Sequence, residues 1–255
     1  MKLRHIFASL ALSLTAIGSA SAATIILDEP GRGFTSSAMA DAPLGNGAWS
    51  ANTFGEPESY SQQYILWESS AADADYRLGD LMSLSFETLK PSGDNDFFIQ
   101  IYTFKDGTND GASWYGQRIT FDPLYAKNKN APADTWNTWS TAEGENQLAI
   151  YDHQNFGGYE APTFAELMDE NYSDDEYYTF PGVNYASEII KGIVVKTGSG
   201  WANTFEGSID NINLEFTGNR SLQIDLEPAS VPAPSTFVLF VLALGGLAAR
   251  RINRA

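Results

Sequence analysis

The chain has 255 residues, no cysteine, and 32 acidic against 15 basic residues, for a formal net charge of −17. The lack of cysteine excludes disulfides, thiol nucleophiles and thiolate zinc sites, so stability must come from a buried core, with or without a bound metal. The negative charge excludes nucleic acid as a favoured partner and keeps a protein soluble. It also attracts cations, and Ca²⁺ is the hard cation expected outside a cell.

The first 22 residues have the three parts of a secretory signal peptide. Lys2, Arg4 and His5 form a positive n-region, and Ile6 to Ile17 form a mostly apolar h-region. Ala20 and Ala22 frame an A-x-A site for signal peptidase. An uncleaved helix is the alternative, which the short h-region disfavours. We therefore expect an exported chain that begins at residue 23.

Short strand-like runs alternate with turn signals between residues 23 and 217, and several runs have the period of two that indicates a sheet with one buried face. Turn residues end the runs, as in Lys90-Pro91-Ser92-Gly93-Asp94. The pattern predicts an all-β fold, an antiparallel β-sandwich and most simply a jelly roll. The predicted strands are Thr24–Leu27, Tyr60–Trp67, Leu81–Leu89, Asp96–Phe104, Trp114–Phe121, Gln147–Tyr151, Ile189–Lys196 and Phe205–Phe216.

One helix interrupts this pattern. Thr163-Phe164-Ala165-Glu166 is a capping box, which predicts a short helix from Thr163 to about Asn171.

The sequence then divides into a signal peptide (1–22), one β-sandwich domain (23–217), a linker (218–230) and a C-terminal segment (231–255).

The C-terminal segment combines a proline motif, an apolar run and an arginine cluster. The run Phe237–Ala249 has 13 residues; a helix of that length spans ~20 Å against a hydrocarbon core of ~30 Å, so it predicts a weak transmembrane anchor. Arginines stay on the cytoplasmic side, which leaves the chain before the anchor outside. The motif is Val231, Pro232, Ala233, Pro234, Ser235 and Thr236, and the cluster is Arg250, Arg251 and Arg254.

In these three parts the segment resembles the PEP-CTERM sorting signal of Gram-negative bacteria, which the transpeptidase-like membrane enzyme exosortase recognises. That family has a Val-Pro-Glu-Pro-like motif, and Ala233 stands here in place of the glutamate. The resemblance implies transient anchoring in the inner membrane, processing by exosortase, and delivery to the cell surface or extracellular matrix. An ordinary C-terminal tail anchor is the alternative.

A second resemblance covers about a third of the mature chain. Four motifs occur in an order similar to that of many exported sorting-signal proteins: Trp136-x-x-Trp139, Thr163-x-Ala165-Glu166-Leu167, Gly198-x-Gly200-Trp201 and Phe205-x-Gly207-x-x-Asp210-Asn211. The last motif also resembles the closing strand of jelly-roll carbohydrate-binding modules, whose aspartate often holds a structural Ca²⁺ beside acids of the first strand. This resemblance implicates Asp210, with Asp28 and Glu29 as partners.

Asp210 is also notable without any family, because it lies among Ile209, Ile212 and Leu214 in a predicted strand. A carboxylate at such a position needs a cation or backbone N–H groups as partners. A β-bulge or an Asx turn at Asp210-Asn211 is the alternative to a metal role.

Tryptophan suggests the ligand. An exposed indole can stack on the apolar face of a pyranose ring while neighbouring polar groups bind its hydroxyls. The sequence favours Trp114, Tyr115, Trp136 and Trp139 as such platforms, and core packing is the alternative for each.

No catalytic motif is evident. His153 is the single histidine after the signal peptide, and there is no Gly-x-Ser-x-Gly, HExxH or phosphate-loop sequence. The sequence thus favours a non-catalytic polysaccharide-binding protein. A structural matrix or adhesion component bridged by Ca²⁺, and a glycan hydrolase, are the alternatives.

Overall fold

The computed structural model describes residues 22–228 except 32, 59, 70–75, 105–117, 152–162 and 170–184. Most of the described backbone is β-strand, and the all-β prediction is confirmed. The strands are β1 (Ala22–Leu27), β2 (Phe34–Ala38), β3 (Gly47–Asn52), β4 (Gln63–Glu68), β5 (Leu81–Leu89), β6 (Phe98–Phe104), β7 (Arg118–Lys127), β8 (Trp136–Ser140), β9 (Gln147–Tyr151), β10 (Ile189–Lys196), β11 (Glu206–Phe216) and β12 (Arg220–Leu226).

These strands form one sheet in the order β1-β12-β11-β5-β8-β9-β7-β6-β10-β4, with β3 also paired to β11 and β2 to β3. A single residue pair, Ser140 with Gln147, joins β8 to β9. The sheet is therefore sandwich-like: β1, β2, β3, β5, β8, β11 and β12 form a first half-sheet, and β4, β6, β7, β9 and β10 form a second half-sheet.

One hydrophobic core contains side chains from both half-sheets. Leu84 and Phe86 of β5, and Ile99 and Ile101 of β6, are completely buried. The Trp49 ring of β3 meets the Tyr64 ring of β4 edge to face, with centroids 5.0 Å apart. Each fully buried large apolar side chain contributes ~1.5–3 kcal/mol of transfer free energy, so this core is the main source of stability.

Three predicted strands, β5, β9 and β10, have the predicted bounds. The predicted linker is wrong over Arg220–Leu226, because these residues form β12, which pairs antiparallel with β11 and parallel with β1. Leu222, Ile224 and Leu226 alternate into the core, so this stretch is part of the domain.

The capping box is confirmed. In the helix α1 (Phe164–Met168), the Thr163 hydroxyl accepts a bond from the Glu166 N–H, and the Glu166 carboxylate accepts one from the Thr163 N–H at 2.7 Å. Extended backbone at Asp169 ends the helix after Met168, before the predicted end.

The predicted sorting motif, apolar run and arginine cluster lie outside the described residues, as does the signal peptide up to residue 21. In the part of the chain that the structure does describe, α1 and the 3₁₀ turns are all too short to cross a lipid bilayer.

Candidate functional site

The structure separates the predicted aromatic platforms. Trp139 is completely buried, and its Nε1–H donates to the Thr88 hydroxyl at 2.7 Å. Its prediction as a surface platform is wrong, because Trp136 and Trp139 lie three residues apart on a strand and point to opposite faces. Trp114 and Tyr115 lie outside the described residues, as does His153.

Trp139 belongs to a buried network around Asp96, which we call the Asp96 network. The Thr88 hydroxyl and the Phe97 N–H donate to the Asp96 carboxylate at 3.0 and 2.8 Å, and Lys90 Nζ lies 3.4 Å from it. Lys90 also donates to the Asn95 carbonyl at 2.8 Å. Burial raises the pKa of Asp96 to about 6, against the opposing effects of Lys90 and of the hydrogen bonds.

Asp210 lies at a bulge, where the register between β11 and β5 shifts and Asn211 has φ of 50°. Its carboxylate accepts from the Leu44 N–H at 2.9 Å and from the Leu226 N–H at 3.0 Å. Burial raises the pKa of Asp210 to about 7, and the bonds from backbone N–H groups limit the rise. Backbone donors therefore satisfy the buried carboxylate, as the bulge alternative requires.

The predicted metal ligands are not gathered into a carboxylate set. Asp28 is half-buried just after β1, and Glu29 is exposed. Among the described residues, no group of three or more His, Asp or Glu side chains could hold a metal ion. Asp28, Glu29 and Asp210 therefore do not form such a set.

Other acids lie near Asp210. Asp225 is only 7% exposed, its Oδ1 has no hydrogen-bond donor among the described residues, and its pKa is raised by burial and by the charge of Glu227. The carboxylate of Glu227 accepts from the Asn46 N–H at 2.8 Å. Both side chains crowd Gly45, where a Cβ would lie 1.7 Å from Glu227 Oε1 and 2.9 Å from Asp225 Oδ1.

A groove of about 270 Å³ lies on the outer face of the second half-sheet, and we call it the outer groove. Strand alternation places its side chains. Ile99 of β6 points into the core, so Phe98 and Gln100 point outward, and Phe98 is paired with Lys196 of β10. Its lining includes Phe98, Gln100, Arg118, Asp122, Lys196 and Trp201.

Hydrogen bonds fix the polar floor of the outer groove. The Gln100 amide donates to the Thr120 hydroxyl at 2.9 Å, and its carbonyl accepts from the Tyr102 hydroxyl at 3.3 Å. The Asp122 carboxylate accepts from the Leu124 N–H at 2.8 Å and from the Tyr151 hydroxyl at 2.7 Å. These bonds hold the nearly buried amide of Gln100 and carboxylate of Asp122 in set orientations beside aromatic rings, and a few fixed polar groups among apolar ones are usual in ligand pockets.

Two cations lie in the same groove, and no carboxylate of the described residues forms an ion pair with either. Arg118 Nε is buried and has no hydrogen-bond partner in the described part of the chain. Burial lowers the pKa of Lys196, and the charge of Arg118 lowers it further. The protein therefore keeps two like charges in one groove, partly out of water and near enough for the charge of Arg118 to affect the pKa of Lys196.

Trp201 forms one wall of the outer groove. Its ring packs nearly perpendicular to Phe98, at a centroid distance of 6.1 Å, and against Phe205 at 5.2 Å. Gly198 lies against the indole, since a Cβ there would lie 2.5 Å from its Cε2 atom. The glycine is therefore required for the position of the ring.

Neither a protein-family model, nor a curated protein, nor a solved structure matches this chain.

A second groove, of about 420 Å³, surrounds Trp136 on the first half-sheet, and we call it the Trp136 groove. Trp136 is half-buried there, and its Nε1 lacks an acceptor among the described residues. Asn130, Asn137 and Glu145 line the rest. Trp136 thus lies half-buried beside polar groups, and its role as a platform stays a prediction.

Sequence reasoning missed Arg118, Lys196 and Trp201 as site residues. A usable signal existed in Arg118-Ile119-Thr120-Phe121-Asp122, where polar residues alternate with apolar ones. This alternation predicts a polar outer face, yet it does not reveal which neighbouring strands share that face.

Proposed function

We propose that this protein is exported and binds polysaccharide without catalysis, through the outer groove. The supporting observation is the combination of Trp201 and Phe98 with the oriented amide of Gln100 and carboxylate of Asp122 on one open sheet face. Aromatic rings stack on the apolar face of a sugar, and fixed polar groups bind its hydroxyls.

We also propose that the domain is a jelly roll. Support comes from strand order: β3-β11-β5-β8 in the first half-sheet and β4-β10-β6-β7 in the second. Among these eight strands the chain crosses to the other half-sheet at every step except from β6 to β7, in the manner of two Greek keys wound together, with β1, β2, β9 and β12 as additions. The outer groove then lies on the outer flank of the second half-sheet.

The test of binding is glycan pull-down with Trp201→Ala and Asp122→Ala, and with Trp136→Ala as the matched control in the other groove. Each variant is first checked by thermal melting to be folded. We expect the two outer-groove variants to lose retention and the control to keep it. Equal retention by all three would contradict the proposal, and release of free sugar would instead support the hydrolase alternative.

Export and sorting are part of the same proposal and rest on the two ends of the sequence. Deletion of residues 231–255 should leave a protein that is secreted and never anchored. Membrane fractionation checks this, and equal membrane binding by both forms would contradict it. Mass spectrometry of material outside the cell should find no peptide from Phe237 onward.

A matrix component bridged by Ca²⁺ is the second candidate, supported by the buried and unpartnered Oδ1 of Asp225 next to Glu227. A cation held there would complete its coordination with backbone oxygens or water. Calcium-dependent self-association that Asp225→Asn abolishes, with no retention on glycans, would favour this candidate.

A further inference from the structure

We infer that the outer groove selects saccharides that carry an anionic group, a carboxylate or a sulfate, bound between Arg118 and Lys196. This inference names the ligand class of the proposed site and rests on the proposed function. Its basis is the charge arrangement of the groove.

The surroundings make this charge arrangement unusual. Residues 23–230 contain all 32 acidic residues and 10 of the 15 basic ones, for a net charge of −22. Two of those ten cations, Arg118 and Lys196, line one groove. In a chain with so many carboxylates, two cations that have no ion pair among the described residues require a reason.

Arg118 and Lys196 differ from two other cations of the described residues, which form ion pairs. Lys90 lies 3.4 Å from Asp96, and Arg220 lies 3.3 Å from Asp80. No carboxylate of the described residues forms an ion pair with Arg118 or Lys196. Asp122 lines the same groove, but its oxygens accept bonds from the Leu124 N–H and the Tyr151 hydroxyl.

The cations bear a cost that an anion would remove. Arg118 Nε is buried and has no acceptor in the described part of the chain, and the two like charges repel each other in partly dry surroundings. A sugar hydroxyl could accept the Nε–H bond and leave the repulsion in place. A carboxylate or sulfate oxygen would accept the Nε–H bond, and its negative charge would also offset the repulsion between the two cations. Charge-assisted hydrogen bonds to a guanidinium are about twice as strong as neutral ones.

The aromatic rings next to the two cations favour an anionic group that is carried by a sugar. Lys196 is paired in register with Phe98, whose ring contacts Trp201. A small free anion would bind the two cations and make no contact with this aromatic wall. A pyranose with an acidic substituent would contact both the wall and the cations.

The experiment compares oligogalacturonate with its methyl ester, in which each charged carboxylate is replaced by a neutral ester on the same sugar backbone. A second arm compares sulfated carrageenan oligosaccharides with neutral agarose oligosaccharides. Affinities are measured by calorimetry in ~0.15 M salt, where the Debye length of about 8 Å screens the distant acidic surface. The first arm detects carboxylate recognition and the second detects sulfate recognition.

The test variants are Arg118→Gln, Lys196→Gln and Arg118→Lys, and the control is Lys127→Gln. Lys127 is an exposed residue of β7 outside the groove, so the control removes the same charge at a different place. We expect the wild type to prefer at least one acidic member of a pair by about 10-fold, the size of one charge-assisted bond. Each Gln variant should lose that preference, Arg118→Lys should keep part of it, and Lys127→Gln should keep all of it.

The outcomes distinguish this inference from the proposed function. Equal binding of the charged and neutral members, unchanged in the Gln variants and lost in Trp201→Ala, would overturn the inference and leave polysaccharide binding in place. No binding of any member by folded protein at millimolar concentration would count against both. Preference for an acidic member that Lys127→Gln also abolishes would overturn the inference, because charge outside the groove would then cause it.

Discussion

The Asp96 network and the outer groove both take charged groups and a tryptophan out of water, yet they treat them differently. In the network, Trp139, Thr88, Asp96 and Lys90 each have a protein partner for the polar groups they bury. In the outer groove, Arg118 Nε has none among the described residues. The comparison teaches that tryptophan and charge do not mark a site by themselves, whereas buried polar groups without partners do.

Trp139→Ala should have the largest effect on stability. Removing a fully buried indole leaves a cavity and frees the Thr88 hydroxyl, so we expect the free energy of unfolding to fall by ~3–5 kcal/mol. Urea denaturation measures the loss, and Trp136→Ala is the control. A Trp139→Ala protein that keeps its stability and loses glycan binding would mean that Trp139 acts in binding and not in the core.

Lys90→Met should come next, because it leaves the Asp96 carboxylate buried without its cation. Breaking such a pair costs ~3–5 kcal/mol where the carboxylate stays ionised, and less where it can take up a proton. The loss should therefore be larger at pH 8 than at pH 5. A loss of equal size at both values would mean that the charge of Asp96 plays no part.

Asp210→Ala tests a second buried carboxylate. It leaves the N–H groups of Leu44 and Leu226 without an acceptor, so we expect a loss of ~2–4 kcal/mol. The thermal shift should be the same in calcium and in chelator. A loss seen only with calcium would show instead that Asp210 holds the ion.

The wild-type protein should be more stable at pH 5 than at pH 8. Asp96 and Asp210 have pKa values raised to about 6 and about 7, above the usual value of 3.8. Between about pH 4 and pH 7 the folded state thus binds more protons than the unfolded state, and stability falls as pH rises through that window. Denaturant midpoints at several pH values check this, and a flat profile would contradict it.

Arg118→Gln should have the smallest effect on stability and a large effect on the proposed binding. Relief of its repulsion with Lys196 should leave the free energy of unfolding within ~1 kcal/mol of the wild type, or slightly higher. A loss of stability comparable to that of Lys90→Met would mean that Arg118 stabilises the fold as Lys90 does, and would contradict the distinction between the outer groove and the Asp96 network.

Local pattern predicted much of the fold and little of the site. Alternation identified β5, β9 and β10, and the capping box identified α1. The strands β2 and β3 were missed because Phe34–Ala38 and Gly47–Asn52 consist largely of small and polar residues, which resemble loops in sequence. Their strand form depends on pairing with each other and with β11.

The predicted platforms show the same limit. Trp136 and Trp139 carry identical side chains three residues apart, and only the register of β8 against β5 decides that Trp139 enters the core. Arg118 and Lys196 are 78 positions apart in the chain. They share a groove because β6 lies between β7 and β10 in the sheet.

The sequence by itself determined the strong negative charge, the all-β character and the helix cap, since these depend on composition and on contacts within a few residues. Tertiary structure alone decided which tryptophan is buried, that Asp210 is satisfied by backbone N–H groups, and which cations meet in the outer groove. Which side chains are buried, and which groups they bond to, depends on strand pairing between segments that are distant in the chain. A local sequence pattern does not specify that pairing.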